Sequence, residues 1–266
     1  MPKRTSYEPG TFSWVELATS DPDAAKKFYG DLFGWTCDDM PSGPGMIYTM
    51  CKLGTDYVSA LYALGSMPNM QGVPPHWDSY ITVESADATA KVAAENGGKL
   101  VKEPFDVLDV GRMAVIQDPT GAVFCVWQAK KHIGAGLVNE PGALAWSELY
   151  TTDPARAGKF YSKVIGWSTK DVDMGPGGTY TLFQRAGASK EEGDKGGMMK
   201  IGPEMGPVPP HWLAYFGVAN CDASAKIAAE LGGKVHVGPM DIPNIGRFAV
   251  ILDPQGAAFA IYQHAH

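Results

Sequence analysis

The sequence predicts an α+β fold built of paired βαβββ modules, arranged as two tandem domains that each curl a mixed sheet around a concave cup. Three observations predict it. First, the chain is written twice: Trp14 to Trp35 (WVELATSDPDAAKKFYGDLFGW) returns as Trp146 to Trp167 (WSELYTTDPARAGKFYSKVIGW), 132 residues later. Asp87 to Lys99 returns as Asp222 to Lys234 with ten of thirteen positions identical, and Gly111 to Ile116 returns as Gly246 to Ile251, both at an offset of 135. A unit of this length repeated once is a pair of domains, not a solenoid of short repeats. Second, each copy runs strand, helix, short strands, and then begins that order again. Third, there are too few helices for a Rossmann or barrel fold, which leaves mixed sheets curled around a concave face with helices packed outside.

The elements follow in order. Residues 1 to 10 read as an irregular lead-in, and domain 1 spans 8–130. Phe12 to Thr19 alternates apolar and polar residues as a strand does, and Asp21-Pro22 supplies a helix N-cap with proline at the first helical position. That helix runs to about Phe33 and stops at Gly34. Short strands punctuated by proline and glycine follow from about Tyr48 to Tyr62, and Trp77 to Val83 restarts the pattern. A helix over Asp87 to Glu95 ends at Asn96-Gly97-Gly98, where glycine can take the left-handed conformation. Strands Met113 to Gln117 and Ala122 to Gln128 flank the turn Asp118-Pro119-Thr120-Gly121. The glycine- and proline-bearing stretch 131–141 reads as a linker, and domain 2 spans 142–266.

With 266 residues and 45% hydrophobic content, the chain can bury ordinary cores without disulfides or metals. A net charge of −7, with no block of Lys or Arg, offers no electrostatic footprint for nucleic acid or an anionic membrane surface. The four cysteines form no CxxC pair and read as reduced thiols. No long apolar run or signal-peptide core is present, so the expected compartment is the cytoplasm.

At this point the D-P-x-x-A-x-K-F-Y-x-x-x-x-G-W segments, the D-A-x-A-K helices and the D-P-x-G-A-x-F hairpins can be taken together. In this order, and stated twice, they resemble the vicinal oxygen chelate superfamily, which includes glyoxalase I, bleomycin-resistance proteins and extradiol dioxygenases. The tandem arrangement is similar to the two-domain glyoxalase-like proteins of actinobacteria, of the culture-filtrate antigen type. Metal-dependent members place His or Glu on the first strand, His or Glu on the strand opening the second module, and Glu on the last strand. The resemblance carries those positions onto Trp14, about Asp78 and Cys125, and in domain 2 onto Trp146, about Leu213 and Ala260. Indole and aliphatic side chains cannot ligate, so no metal and no other cofactor is expected. A relocated site could use Glu16, His76 and Asp78, which period-two spacing puts on the faces of Trp14 and Asp78. Cys125 reads more simply as a small buried apolar residue.

On those faces stand Trp14, Glu16, Asp78, Tyr80, Cys125 and Trp127, and in domain 2 Trp146, Glu148, Leu213, Tyr215, Ala260 and Tyr262. Each cup is thus aromatic, with an inward glutamate that needs a partner. Arg112 and Arg247, repeated after glycine, are the expected partners of Glu16 and Glu148, or of backbone carbonyls, or else clamps for an anionic ligand. His76 and His211, each after two prolines, are expected at the cup rims. The two tryptophans can equally be core or ligand platforms. The favoured expectation is a protein that binds a small aromatic or planar organic compound without a metal. The alternative is a lyase, isomerase or oxygenase of the same superfamily, metal-free with Glu16 or Glu148 as base or with a relocated metal. A third reading is a scaffold whose cups are filled by their own side chains. The expected quaternary state is a monomer with an internal pseudo-dimer, or a loose homodimer.

Overall fold

The computed structural model describes residues 3–43, 45–66, 70, 72–175, 178–185 and 193–265; the first two lead-in residues lie outside these. In the first half, β1 (Phe12–Thr19) leads into α1 (Pro22–Phe33), β2 (Thr36–Gly43), β3 (Met46–Leu53) and β4 (Asp56–Ala63). Then β5 (His76–Thr82) leads into α2 (Ala86–Glu95), β6 (Lys99–Val107), β7 (Gly111–Gln117) and β8 (Val123–Ala129). The second half repeats the order with β9 (Leu144–Thr151), α3 (Pro154–Val164), β10 (Trp167–Asp173), β11 (Thr179–Arg185) and β12 (Asp194–Lys200). It closes with β13 (His211–Gly217), α4 (Cys221–Glu230), β14 (Lys234–Ile242), β15 (Gly246–Leu252) and β16 (Ala258–His264).

Each half is one curled eight-stranded sheet, in the orders β2-β3-β4-β1-β5-β8-β7-β6 and β10-β11-β12-β9-β13-β16-β15-β14. Both are mixed: β1 pairs parallel with β4 and antiparallel with β5, which pairs parallel with β8. Local chemistry sets the boundaries. Asp21 accepts the Ala24 amide at the start of α1, and Gly34 ends it in the left-handed region at φ 75°. Asp153, Ser85 and Asn220 cap the other three helices in the same way.

The βαβββ order requires the outer strands β2, β6, β10 and β14, but the sequence pattern does not locate their residue ranges. They are edge strands with mostly exposed side chains, and exposed apolar residues such as Met40, Val101 and Met240 blur the alternation that would mark one face. The helices pack outside the concave faces, as the sequence predicts. They lie on the faces opposite the cups, and there the helix-bearing faces of both sheets join in one apolar core.

That core has approximate two-fold reciprocity. The Tyr29 hydroxyl of α1 donates to Asp253 in the second half's last turn at 2.9 Å, and Tyr161 of α3 donates to Asp118 in the first half's turn at 3.1 Å. Trp77 Nε1 donates to Tyr29, and Trp212 Nε1 to Tyr161. Trp35 Nε1 reaches the Gly142 carbonyl at 2.7 Å, and Trp167 Nε1 reaches that of Gly10 at 2.8 Å. Trp14 and Trp146, His76 and His211, and Arg112 and Arg247 stand on matching strands in matching register.

The buried turn aspartates join the halves to the hairpins. One Asp118 oxygen accepts the Thr120, Gly121 and Ala122 amides, while the other accepts Tyr161. Asp118→Ala would take the carboxylate acceptor from five donors, the three amides, the Thr120 hydroxyl and the Tyr161 hydroxyl. It is expected to cost about 2–4 kcal/mol, read as a lower urea midpoint with an unchanged m-value.

Candidate functional site

Strand pleating sends alternate residues of β1 to opposite faces. Val15 and Leu17 enter the shared core, while Trp14 belongs to a separate cluster in the first cup with Ala60, Tyr80, Met113, Cys125 and Trp127. Glu16 lies beside them. Tyr80 donates to its Oε1 at 2.5 Å, Tyr48 donates to its Oε2 at 2.6 Å, and Trp14 Nε1 donates to the Tyr48 oxygen at 3.1 Å. The second cup carries the same relay: Tyr215 donates to Glu148 Oε1 at 2.9 Å, Tyr180 to Oε2 at 2.8 Å, and Trp146 Nε1 to the Tyr180 oxygen at 2.9 Å. A Trp–Tyr–Glu–Tyr constellation is therefore the polar element that the two cups share.

The relay explains how the carboxyls are tolerated with Glu16 only 9% and Glu148 only 5% exposed. Burial pushes the Glu16 carboxyl up to about 7, Asp78 adds to this, and the Tyr48 and Tyr80 hydroxyls pull the other way. Burial also raises Glu148, against hydrogen bonds from Tyr150, Tyr180 and Tyr215. Both carboxyls are thus raised above the usual carboxylate range, Glu16 to near neutrality, which suits hydrogen bonding or proton transfer. Tyr48 and Tyr180, central to this, were missed in sequence. Their signal was present: Tyr48-Thr49 recurs as Tyr180-Thr181 at the same 132-residue offset as the tryptophans.

The arginines stand elsewhere. Arg112 and Arg247 alternate with the cup residues Met113 and Phe248, so they fall on the helix side. Arg112 grips Asp87 of α2 through Nε and Nη2 at 2.6 and 2.8 Å, and also donates to the Pro104 carbonyl. Arg247 grips Asp222 of α4 at 2.8 and 2.9 Å and pairs with Asp241. The expected pairing with Glu16 and Glu148 is thus corrected: these forks tie helix to strand, and tyrosines satisfy the glutamates. The preceding glycine has its own reason, since a Cβ on Gly111 would lie 2.1 Å from the Trp127 ring.

At the rims, the two histidines differ. His76 donates from Nδ1 to the Pro74 carbonyl, while its Nε2 lies 3.5 Å from Asp78, which also accepts Tyr62 at 3.3 Å. Burial works against its protonation, but the bond to and charge of Asp78 outweigh it and raise His76 to about 9. His211 makes the same bond to Pro209 and stacks on Tyr150 at 5.2 Å, but Leu213 replaces the acid, and burial lowers it.

The cups differ most in their covering. The linker crosses the first cup: Ala135 N donates to the Ser13 carbonyl and Gly136 N to that of Tyr57, both at 2.7 Å. Tyr7 of the lead-in donates to the Ala135 carbonyl at 2.6 Å. The His132 ring meets Trp14 edge-on at 4.7 Å and Trp127 at 5.9 Å, and Trp127 Nε1 donates to the His132 carbonyl. Trp14 is left 3% exposed, and burial lowers His132 to about 4. In the second cup, Trp146 remains partly exposed, and its apolar neighbours come from the second sheet and the following Ile201 and Met205. Tyr262, in the place of Trp127, donates to the Ile245 carbonyl at 2.8 Å.

The residues onto which the sequence resemblance carries the ligand positions do not fit a divalent ion. Trp14, Trp146, Leu213 and Ala260 supply no ligating donor, Cys125 is a buried thiol raised by burial, and Asp78 is engaged by Tyr62 and His76. Asp78 stands opposite Glu16, while Trp14 and Cys125 both neighbour Tyr80. Among the described residues, no group of three or more His, Cys, Asp or Glu is placed to hold a metal ion.

Two curled sheets of paired βαβββ modules, each with an inward carboxyl in an aromatic cup, define the class of protein. The chain belongs to the Glyoxalase/Bleomycin resistance protein/Dioxygenase superfamily, whose model matches residues 11–126 and 143–261. It is 44% identical over 268 residues to "Putative glyoxylase CFP32" of Mycobacterium bovis, covering 100% of this chain and 99% of that one. It is 35% identical over 272 residues to "Anthracycline biosynthesis protein DauV" of Streptomyces sp. strain C5, covering 97% and 95%. In fold it is similar to the Mn(II)-bound glyoxalase from Novosphingobium aromaticivorans, with a TM-score of 0.65, 17% identity and coverage of 96% and 82%. It is also similar to the 2,3-dioxygenase LapB from Pseudomonas sp. KL28, with a TM-score of 0.64, 14% identity and coverage of 97% and 94%. No helix among the described residues is long and apolar enough to cross a membrane.

Proposed function

We propose that this protein binds a small planar aromatic compound in its second cup, stacked on Trp146 with a polar group directed at Glu148. The observation that carries the reading is the asymmetry between two otherwise matched sites. The Trp–Tyr–Glu–Tyr relay is the same in both, but Trp14 is sealed beneath His132 and Trp146 is partly exposed. An apolar cup with a few placed polar groups is the usual form of a small-molecule site. The likeness to an anthracycline biosynthesis protein supports a polycyclic aromatic ligand. In this reading the working units are 8–130 and 142–266, joined by 131–141. The first has given up its cup to the linker, and the reduced thiols suit the cytoplasm.

A second reading, proton transfer on the bound compound, is favoured by the raised carboxyl of Glu148. A carboxyl that burial raises above its ordinary range holds its proton more readily, which favours donating it to a ligand oxygen and taking it back. It uses no metal, in keeping with the donor set.

The test is a titration with a hydroxyanthraquinone panel, followed by tryptophan emission and thermal shift. The emission loss should saturate at a fraction, because one of the seven tryptophans meets the ligand. Trp146→Leu should weaken binding at least about tenfold, the order expected for losing an aromatic stack plus its buried area. Trp14→Leu should leave the affinity unchanged. Equal loss in both variants, or binding unaffected by Trp146→Leu in a folded protein, would overturn the assignment. Proton transfer would further require that Glu148→Gln keep binding and lose turnover.

A further inference from the structure

We propose that Cys37 and Cys51 form a redox modification site, a dithiol that a hydroperoxide converts to a cross-strand disulfide. The pair is distant in the hairpin sequence, but the register of β2 on β3 sets the two residues directly opposite each other. Their sulfurs lie 2.8 Å apart, joined by one thiol–thiol hydrogen bond. Directly opposed residues of antiparallel strands have Cα atoms about 4.5–5.5 Å apart, inside the range of about 4.4–6.8 Å that a disulfide spans. Joining them therefore needs no rearrangement of the backbone.

The two thiols are also differentiated. Cys51 is fully buried, whereas Cys37 is partly exposed on an edge strand where a small oxidant can reach it. The hydrogen bond from Cys51 holds the Cys37 thiol below its ordinary value, and the Lys26 ammonium adds to this against burial, Asp39 and Asp38. Cys37 is thus the attacking sulfur and Cys51 the resolving one. The remaining cysteines are separate: Cys125 packs in the first cup and Cys221 opens α4, both buried and raised by burial.

In the first step the Cys37 thiolate attacks one peroxide oxygen. An S–O bond forms, the O–O bond breaks, and the other oxygen leaves as water or an alcohol after taking a proton. In the second, the Cys51 sulfur attacks the sulfenic acid, the S–S bond forms, the S–O bond breaks, and water leaves with the Cys51 proton. The two thiols give two electrons to the peroxide. The product would pin the edge strand β2 to β3, the strand that presents Tyr48 to Glu16.

The test is treatment of the reduced full-length chain with hydrogen peroxide in modest excess, then thiol counting and digestion without reductant. Two of the four thiols should disappear, and one peptide should join Cys37 to Cys51, reverting with dithiothreitol. In Cys51→Ala or Cys51→Ser, whichever folds, dimedone should trap a sulfenic acid on Cys37. Four thiols remaining, direct passage of Cys37 to sulfinic acid in the wild type, or linkage to Cys125 or Cys221 would each overturn the proposal.

Discussion

Gly134→Ala is expected to lift the linker from the first cup and to lower stability by about 2–4 kcal/mol. Gly134 has φ +112°, a conformation that L side chains rarely adopt, and an added Cβ would lie 2.3 Å from the Ser13 carbonyl oxygen and 3.0 Å from its carbon. Both obstacles are backbone of β1 in the middle of the sheet, so neither can swing aside. The next amide, Ala135 N, donates to that same Ser13 carbonyl, and Ala135 and Val138 pack among the cup residues. The substitution therefore strikes the point where the linker is fastened. Its effect should be local: faster hydrogen exchange at Ala135 and Gly136, and acrylamide access to Trp14. If the cups are equivalent apart from this cover, a hydroxyanthraquinone titration should gain a second, Trp14-dependent site. A variant with wild-type stability and exchange at Ala135 would show that the linker does not seal the cup.

The cup faces were legible in the sequence because both signals that define them are local or repeated. Period-two alternation put Trp14 and Glu16 on one face of β1, and duplication pointed to the same residues at Trp146 and Glu148. The partners of the glutamates were not legible in that way. Charge complementarity suggested arginine, but one pleat step separates Arg112 from the cup residue Met113, and that step carries it to the helix side and to Asp87. Tyrosine hydroxyls answer a carboxyl without a charge, so composition gave them no weight until β3 and β11 brought them across. The linker misled for a related reason. Its glycines marked an irregular segment, and irregular it is, but Ala135 and Val138 are buried by contact with a cup formed from distant strands. The cysteine pairing depended on the register of β2, an exposed edge strand with little pattern of its own.

Glu16→Gln is expected to remove a pH dependence of stability on the order of 3 kcal/mol between pH 4.5 and 7. In the unfolded chain Glu16 takes its ordinary value of 4.5, while burial in the folded cup, reinforced by Asp78, raises it to about 7. Between those values the folded state binds more protons than the unfolded state, so this contribution is whole below pH 4.5. It is lost as pH rises to 7, because the carboxylate must then be held beside Asp78 with only two tyrosine hydroxyls to replace water. Glu148 acts in the same direction. His132, lowered to about 4, and His211, also lowered, act in the opposite one, since each gains stability as pH rises toward its ordinary 6.5. His76, raised to about 9, gives up its contribution above 6.5. The net curve of the wild type can therefore be shallow, and the informative quantity is its difference from Glu16→Gln. That variant keeps one acceptor for a tyrosine and cannot ionise, so its own cost should not vary with pH. Urea unfolding of both proteins from pH 4 to 8 should give a difference that shifts in favour of the variant by up to about twice the thermal energy per pH unit through this window, then levels off above pH 7. A constant difference across the range would mean that Glu16 is already ionised at pH 5, and that its tyrosines, with the charge of His76, outweigh the burial.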